Sequence, residues 1–212
     1  MKAAPQVPTK GTLYPAQPVR VVVPPNPDVI ETKNLRLRPL RSSDAAHVFE
    51  FRSRQDVAEW LWPKIPHSHI EETEANIAGK VFQTPDATGA IRKQFHFAII
   101  SAKDPTQKVI GTVGINSLAP APSIGYGLHP DFWGKGYASE AVTGMINAWW
   151  KLDRIDPAQL RPASEKERLF AACNKANIGS MKVLQKSGFK VYQELHLDGD
   201  TLALFDLERP QS

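Results

Sequence analysis

The densest run of chemically useful residues is Trp133-Gly134-Lys135-Gly136-Tyr137, a tight loop between a strand-like segment ending at Leu128 and a helical pattern starting near Ala138. The first N–H groups of a helix have no intrahelical acceptor and carry partial positive charge, so a helix entered through such a loop forms an anion site. Glycine at 134 and 136 lets a phosphate approach and permits a positive φ, and Lys135 adds a cation beside it. The Gly-x-Gly fragment also belongs to the dinucleotide-binding fingerprint. Here Ser139 stands where the third glycine of that fingerprint belongs, and the segment lies late in the chain and not in an opening βαβ unit. A Gly-Lys-Ser/Thr ending, the mark of a Walker-type loop, is absent.

A second block, Asn174-Lys175-Ala176-Asn177-Ile178-Gly179-Ser180, opens a helix that closes at Lys186-Ser187-Gly188-Phe189. Taken with Ile124-Gly125-Tyr126-Gly127-Leu128-His129-Pro130-Asp131-Phe132 and the glycine loop, it resembles the acetyl-CoA site of the GNAT superfamily of N-acetyltransferases. The likeness is greatest to the branch typified by ribosomal-protein N-terminal acetyltransferases. The family pattern of Arg or Gln, two residues, Gly, any residue, then Gly or Ala maps onto Trp133, Gly136 and Ala138. Tryptophan in its first place is familiar in this branch. The Asn-x-x-Asn-x-x-Ser helix ending in Lys-x-Gly-Phe maps onto Asn174, Asn177, Ser180, Lys186, Gly188 and Phe189. With the opening Leu35-Arg36-Leu37-Arg38-Pro39-Leu40, also typical of the branch, the resemblance spans residues 32–209.

That resemblance implies transfer of an acetyl group from acetyl-CoA to a primary amine by direct attack on the thioester. Such a transfer needs a donor for the thioester oxygen, loss of a proton from the amine, and a donor for the departing thiolate. The cofactor contacts implied are Tyr126, Leu128, Trp133, Gly134, Lys135, Gly136, Tyr137, Ala138, Ser139, Asn174, Asn177 and Ser180. Tyr126 and Leu128 match the strand positions beside which the pantetheine arm lies, with a backbone N–H there serving the thioester oxygen. Ser180 matches the donor to the sulfur; a serine in a first helical turn also commonly satisfies only local backbone. Leu184 occupies the place of a tyrosine found in many relatives and reads as core. Ser123 stands where members of this branch often carry an acidic residue, so the general base is left open among Glu194, His96 and ordered water. Glu140 reads as a partner of the helix dipole. Asn177 reads as a helix cap and Asn174 as a candidate for the pantetheine amides. The acceptor, a small amine or a protein N-terminus, is expected against Trp60 and Trp62, the second helix and the last hairpin. Two readings from other classes stand beside this one: a non-catalytic acyl-CoA-binding regulatory module, and an adaptor that works through the N-terminal tail.

These groups call for a single α/β domain over residues 32–212, a mixed, mostly antiparallel twisted sheet with helices on both faces. Its strands at Ile124 and Leu169 are expected to splay around CoA. Alternating Leu35, Leu37 and Leu40 predict a first strand, and Ser42-Ser43-Asp44 caps a helix whose Ala45, Val48, Phe49 and Arg52 share a face. Ser68 and Glu71 predict a capping box for a second helix with Ile70, Ile77 and Val81 buried. Residues 95–101 and 109–116 read as a hairpin. Ala138, Ala141, Val142, Met145, Ile146 and Trp149 mark one buried helical face. A strand at 169–173, a helix at 178–187 closed by Gly188, and a hairpin turning at Asp198-Gly199-Asp200 complete the pattern.

Composition sets the outer bounds. With 212 residues, 42% hydrophobic and 23% charged, the chain is sized for one ordinary globular domain. One cysteine, Cys173, excludes an internal disulfide framework and multi-cysteine metal sites and fits a reducing, cytoplasmic setting. His67 and His69 lack a third ligand, so no metal is expected. Apolar runs fall short of the roughly 20 residues that span a bilayer. The net charge of +4 is compatible with an anionic cofactor, with nucleic acid or with no particular partner, and no nucleic-acid module spacing is present; a homodimer is compatible with all of this. Residues 1–27 hold seven of the eighteen prolines and no acidic residue. The tail, residues 1–31, therefore reads as extended or disordered and outside the core. Its prolines also block the continuous helix of a signal or transit peptide. A functional alternative has this tail docking into an aromatic groove of a partner or folding over the active site.

Overall fold

Strand formation follows the alternation of apolar residues, and the order in which the strands pair decides where the sheet opens. The computed structural model describes residues 13–155, 166–197 and 199–210; tail residues 1–12 and Asp198 of the last turn lie outside them. Eight strands form one sheet in the order β1 (Ile30–Glu31), β2 (Leu35–Pro39), β3 (His96–Ser101), β4 (Val109–Ser117), β5 (Ser123–Leu128), β6 (Arg168–Asn174), β8 (Asp200–Glu208) and β7 (Lys190–Leu197). Every neighbouring pair is antiparallel except β5 with β6. This is the mixed, mostly antiparallel α/β sheet the sequence predicts.

Two apolar clusters form, one on each face, because successive residues of a strand point to opposite sides. Along β3, Phe97 and Ile99 join the larger cluster while Ala98 and Ile100 join the smaller. The larger is covered by α4 (Tyr137–Lys151), which buries Ala141, Val142, Met145, Ile146 and Trp149, and by α5 (Ile178–Lys186) through Leu184. The smaller lies under α1 (Ala45–Arg52), with α2 (Gln55–Ala58) and α3 (Ile70–Ala78) beside it; Val48, Phe51, Val57 and Ile77 supply its helical side.

Two local expectations need correction. In α1 the buried aromatic is Phe51 and not Phe49, since a face built on Ala45 and Val48 continues at position 51 or 52. In α3 the cap is His69 and not Ser68, and the carboxylate that accepts the Ser68 N–H, at 2.7 Å, belongs to Glu72 and not Glu71. With the helix starting one residue later, its inner face carries Thr73 and Ile77, and Ile70 turns outward.

The larger correction concerns the proline-rich segment. Val21 and Val23 are 2% and 1% exposed and belong to the main core cluster. Their backbone is bonded on both sides: Val22 N–H donates to Asp153 O at 2.9 Å, Ile155 N–H to Arg20 O at 2.8 Å, and Ala87 N–H to Val21 O at 2.9 Å. Val23 N–H donates to an Asp86 carboxylate oxygen at 3.0 Å. Proline content rules out a helix but not an extended strap that packs by alternate valines. Removing residues 1–24 from the chain is expected to lower the unfolding free energy by roughly 3 kcal/mol or more, at about 1.5–3 kcal/mol per buried valine. An unchanged urea midpoint in the truncated protein would return the segment to the status of a passive tail.

Candidate active site

β5 and β6 meet at only one registered pair, Ser123 with Phe170, reinforced by the Phe170 N–H bond to Pro122 O at 2.9 Å. Beyond it β5 stays in register with β4 as far as Leu128, while β6 follows β8 to Asn174. The two strands therefore part, and one edge of each lacks a ladder partner among the described residues. An edge of unpaired N–H and C=O groups inside a sheet is a prepared site for an extended, amide-bearing ligand.

The glycine loop stands at the far end of β5. A 3-10 turn at Pro130–Phe132 and two bonds from Trp133, its N–H to Pro130 O at 2.9 Å and its indole N–H to Leu128 O at 2.9 Å, set the loop in place. Gly134 and Gly136 take φ of +73° and +81°, and a Cβ built on either would meet nothing within 4 Å. The loop thus faces open space and relies on backbone that side-chain-bearing residues avoid. Gly136 is the N-cap of α4 and supplies no side chain, and the first helical bond runs from Glu140 N–H to Gly136 O at 3.1 Å. N–H groups of residues 134–139 consequently have no acceptor among the described residues. The Lys135 ammonium lies over the Phe132 ring, 5.1 Å from its centroid.

Across the gap, Asn177 caps α5 by accepting the Ser180 N–H at 2.9 Å, as its position predicts. The Ser180 carbonyl accepts the Tyr126 hydroxyl at 3.3 Å and the Ser180 side chain also hydrogen-bonds that phenol, so these two residues face one another over the opening. Asn174 is committed within the protein: Oδ1 accepts the Ala176 N–H at 2.9 Å and Nδ2 donates to Asp200 at 2.8 Å. Burial raises the Tyr126 phenol above its ordinary range and pushes the Cys173 thiol up to about 11, so neither is ionised near neutrality. Cys173 lies against Met181, with its sulfur 3.6 Å from the thioether.

The open question of the base meets a set of occupied carboxylates. Ser123 shares a hydrogen bond with Ser117 at 3.0 Å. Burial favours the neutral form of Glu140, but hydrogen bonds from Asn34 and Thr32 hold it below the ordinary carboxylate range, and they tie α4 to the turn before β2. Glu194 pairs with Lys175 at 2.7 Å. His96 is buried at 2% exposure in β3 opposite Gly114.

Trp60 and Trp62 are 36% and 39% exposed, in the loop between α2 and α3. Lys64 of that loop makes an ion pair with Asp200, the residue that also accepts from Asn174, so the tryptophan loop is clipped to the end of β6. Nothing in the local sequence marks a pair so far apart. At its other end the loop is fastened by His67: Nε2 accepts from the Arg52 guanidinium at 3.0 Å, which leaves Nδ1 to donate to Thr73 Oγ1 at 2.7 Å.

Comparison with known proteins agrees with this geometry. A family profile described as "Acetyltransferase (GNAT) domain" matches residues 34–190. A Bacillus subtilis protein named as the uncharacterized N-acetyltransferase YoaA is 26% identical over 165 residues, 76% of this chain and 82% of its own. Among solved structures, the ribosomal-protein-S5-alanine acetyltransferase of Vibrio fischeri superposes with a TM-score of 0.59 at 23% identity, over 86% of this chain and 97% of that one. RimL, a ribosomal L7/L12 α-N-protein acetyltransferase solved in complex with coenzyme A, gives a TM-score of 0.61 at 19% identity, over 85% of this chain and 98% of that one.

Burial and the nearby Arg52 charge hold the His67 imidazole below its ordinary value of 6.5. The unfolded chain therefore binds a proton at this residue before the folded protein does, and stability present above that value falls as pH drops below it. Urea midpoints measured from pH 7.5 to pH 5 are expected to fall more steeply for the wild type than for His67→Gln; parallel curves would remove His67 from the fastening of the loop.

Proposed function

From the membership of this chain in the acetyltransferase (GNAT) family, we propose that it moves an acetyl group from acetyl-CoA to a primary amine by direct attack on the thioester. The observation that carries this reading is the open, left-handed Gly134 and Gly136 loop with its unsatisfied N–H groups, set beside a gap between parallel strands. Amides 134–139 receive the diphosphate, and the α4 dipole favours its charge. The unpaired edge of β5, from Tyr126 to Leu128, bonds the pantetheine amides. A β5 backbone N–H at this level steadies the oxyanion as it forms, and because it is fixed by the β4 pairing it needs no reorganisation.

Ser180, in the first turn of α5 beside Tyr126 at the gap, donates its hydroxyl proton to the departing sulfur. Ordered water removes the proton of the amine, since Ser123, Glu140 and Glu194 are each engaged elsewhere. The acceptor lies against Trp60 and Trp62. The RimL name specifies an α-N-protein acceptor and the Vibrio fischeri name a ribosomal-protein alanine, so a protein N-terminus is the first acceptor to try.

Thiol release with acetyl-CoA and a panel of amines tests the reading. Gly136→Asp introduces a like charge where the diphosphate sits and is expected to raise the acetyl-CoA KM by about a hundredfold or more. Ser180→Ala is expected to lower kcat about tenfold or more with the acetyl-CoA KM little changed. Binding of acetyl-CoA with no thiol release from any amine would instead favour the regulatory module, and unaltered affinity in Gly136→Asp would remove the loop from the cofactor site.

A further inference from the structure

The N-terminal strap does more than fill the core. From Val23 and Val21, packed in the main cluster, it runs past the closed end of the β5–β6 gap. There Gln17 N–H donates to Pro120 O at 2.8 Å, and the Gln17 side-chain amide bonds both the N–H and the carbonyl of Arg168, the first residue of β6. It then reaches the other face of the sheet. Leu169 and Ala171 belong to the cluster beneath α4 and α5, so alternation places Phe170, Ala172 and Asn174 of β6 on the opposite face. Tyr14 packs on Phe170 with ring centroids 5.3 Å apart. Phe170 in turn meets Tyr192 at 5.9 Å, and the Tyr192 hydroxyl donates to Leu13 O at 3.1 Å.

On this same face β5 offers no large side chain of its own between Ser123 and Leu128, and the Asn116 amide lies over Gly125. Ile124, Tyr126 and Leu128 point into the main cluster, which leaves Gly125 and Gly127 to the opposite side. A ligand reaching the gap from this side therefore passes Gly127 and the Asn116 amide over Gly125 on the β5 side, and the aromatic group built on Phe170 on the other. The hydroxyl of Tyr14 makes no hydrogen bond among the described residues. Burial, with Tyr192 and Cys173 as neighbours, raises its phenol above the ordinary tyrosine range, and Cys173 is also a neighbour of Tyr126 across the gap. Tyr14 is thus an uncharged phenol with a spare donor at the depth where the strands separate.

We propose that Tyr14 is an acceptor-binding residue: the strap carries it to the α1 face of the gap, where its ring and unpartnered hydroxyl select amines bearing a hydrogen-bonding group next to the reacting nitrogen. This rests on acyl transfer taking place in the β5–β6 gap. The contact of Gly127 with Phe51 of α1, at 3.8 Å from a built Cβ, identifies that face as the one opposite α4 and α5. An acceptor approaching there meets acetyl-CoA without competing for the α4 loop.

Full-length wild type, Tyr14→Phe and Tyr14→Ala are compared in thiol release with alanine- and serine-starting peptides, lysine amide, spermidine and tyramine. Tyr14→Phe keeps the ring and is expected to lower kcat/KM about tenfold for the peptides and lysine amide relative to spermidine and tyramine, as loss of one hydrogen bond from a partly buried site does. Tyr14→Ala is expected to lower it for every acceptor used, with the acetyl-CoA KM within about twofold of wild type. A purely structural tyrosine would shift the thermal midpoint without changing the ratio between acceptors. Acceptor kcat/KM values and their ratios unchanged in Tyr14→Phe and in any folded Tyr14→Ala would overturn the assignment while leaving acyl transfer intact. A wild type that releases no thiol with any amine would overturn acyl transfer and this assignment together.

Discussion

The gap between β5 and β6 opens between two strands that are each held along their outer edge. Each strand has two edges, and β5 satisfies one against β4 over its full length while β6 satisfies one against β8 over its full length. The pair between them closes only at Ser123 and Phe170. The lost ladder bonds leave donors and acceptors pointing into a slot lined by Tyr126 on one side and the first turn of α5 on the other. Everything assigned to chemistry is arranged around that slot.

Rigidity on either side is what makes an opening useful. α4 is anchored through Trp149, Met145 and Ile146 in the core and through Glu140 to the turn before β2, so its free N–H groups are held at one end of the slot. α5 is set by Leu184 below and Asn177 at its start. The tryptophan loop hangs between Lys64 with Asp200 and His67 with Arg52, and the strap crosses the closed end with Gln17. Glu140 and Glu194 are engaged in contacts within the protein, with Asn34 and Thr32 and with Lys175.

What the residues declare on their own is local and periodic. The 3.6-residue spacing of Ala141, Val142, Met145, Ile146 and Trp149 specifies α4, and glycines at 134, 136 and 188 mark places where φ is positive, because only a missing Cβ makes such backbone inexpensive. Asn177 as a cap, Leu184 as core and the splayed strand pair were legible in the same way, the last through resemblance to a family whose motifs sit at those positions. Tertiary structure decided the rest. No spacing rule links Lys64 to Asp200, Asn174 to Asp200 or Gln17 to Arg168, since these bonds join residues brought together only when the sheet closes. The fate of the proline-rich strap was likewise beyond composition: prolines exclude a helix, but whether Val21 and Val23 are buried depends on the groove that α4 and the sheet leave for them. Short-range pattern fixes which way a side chain points along its own element, and only the assembled sheet decides what it meets there.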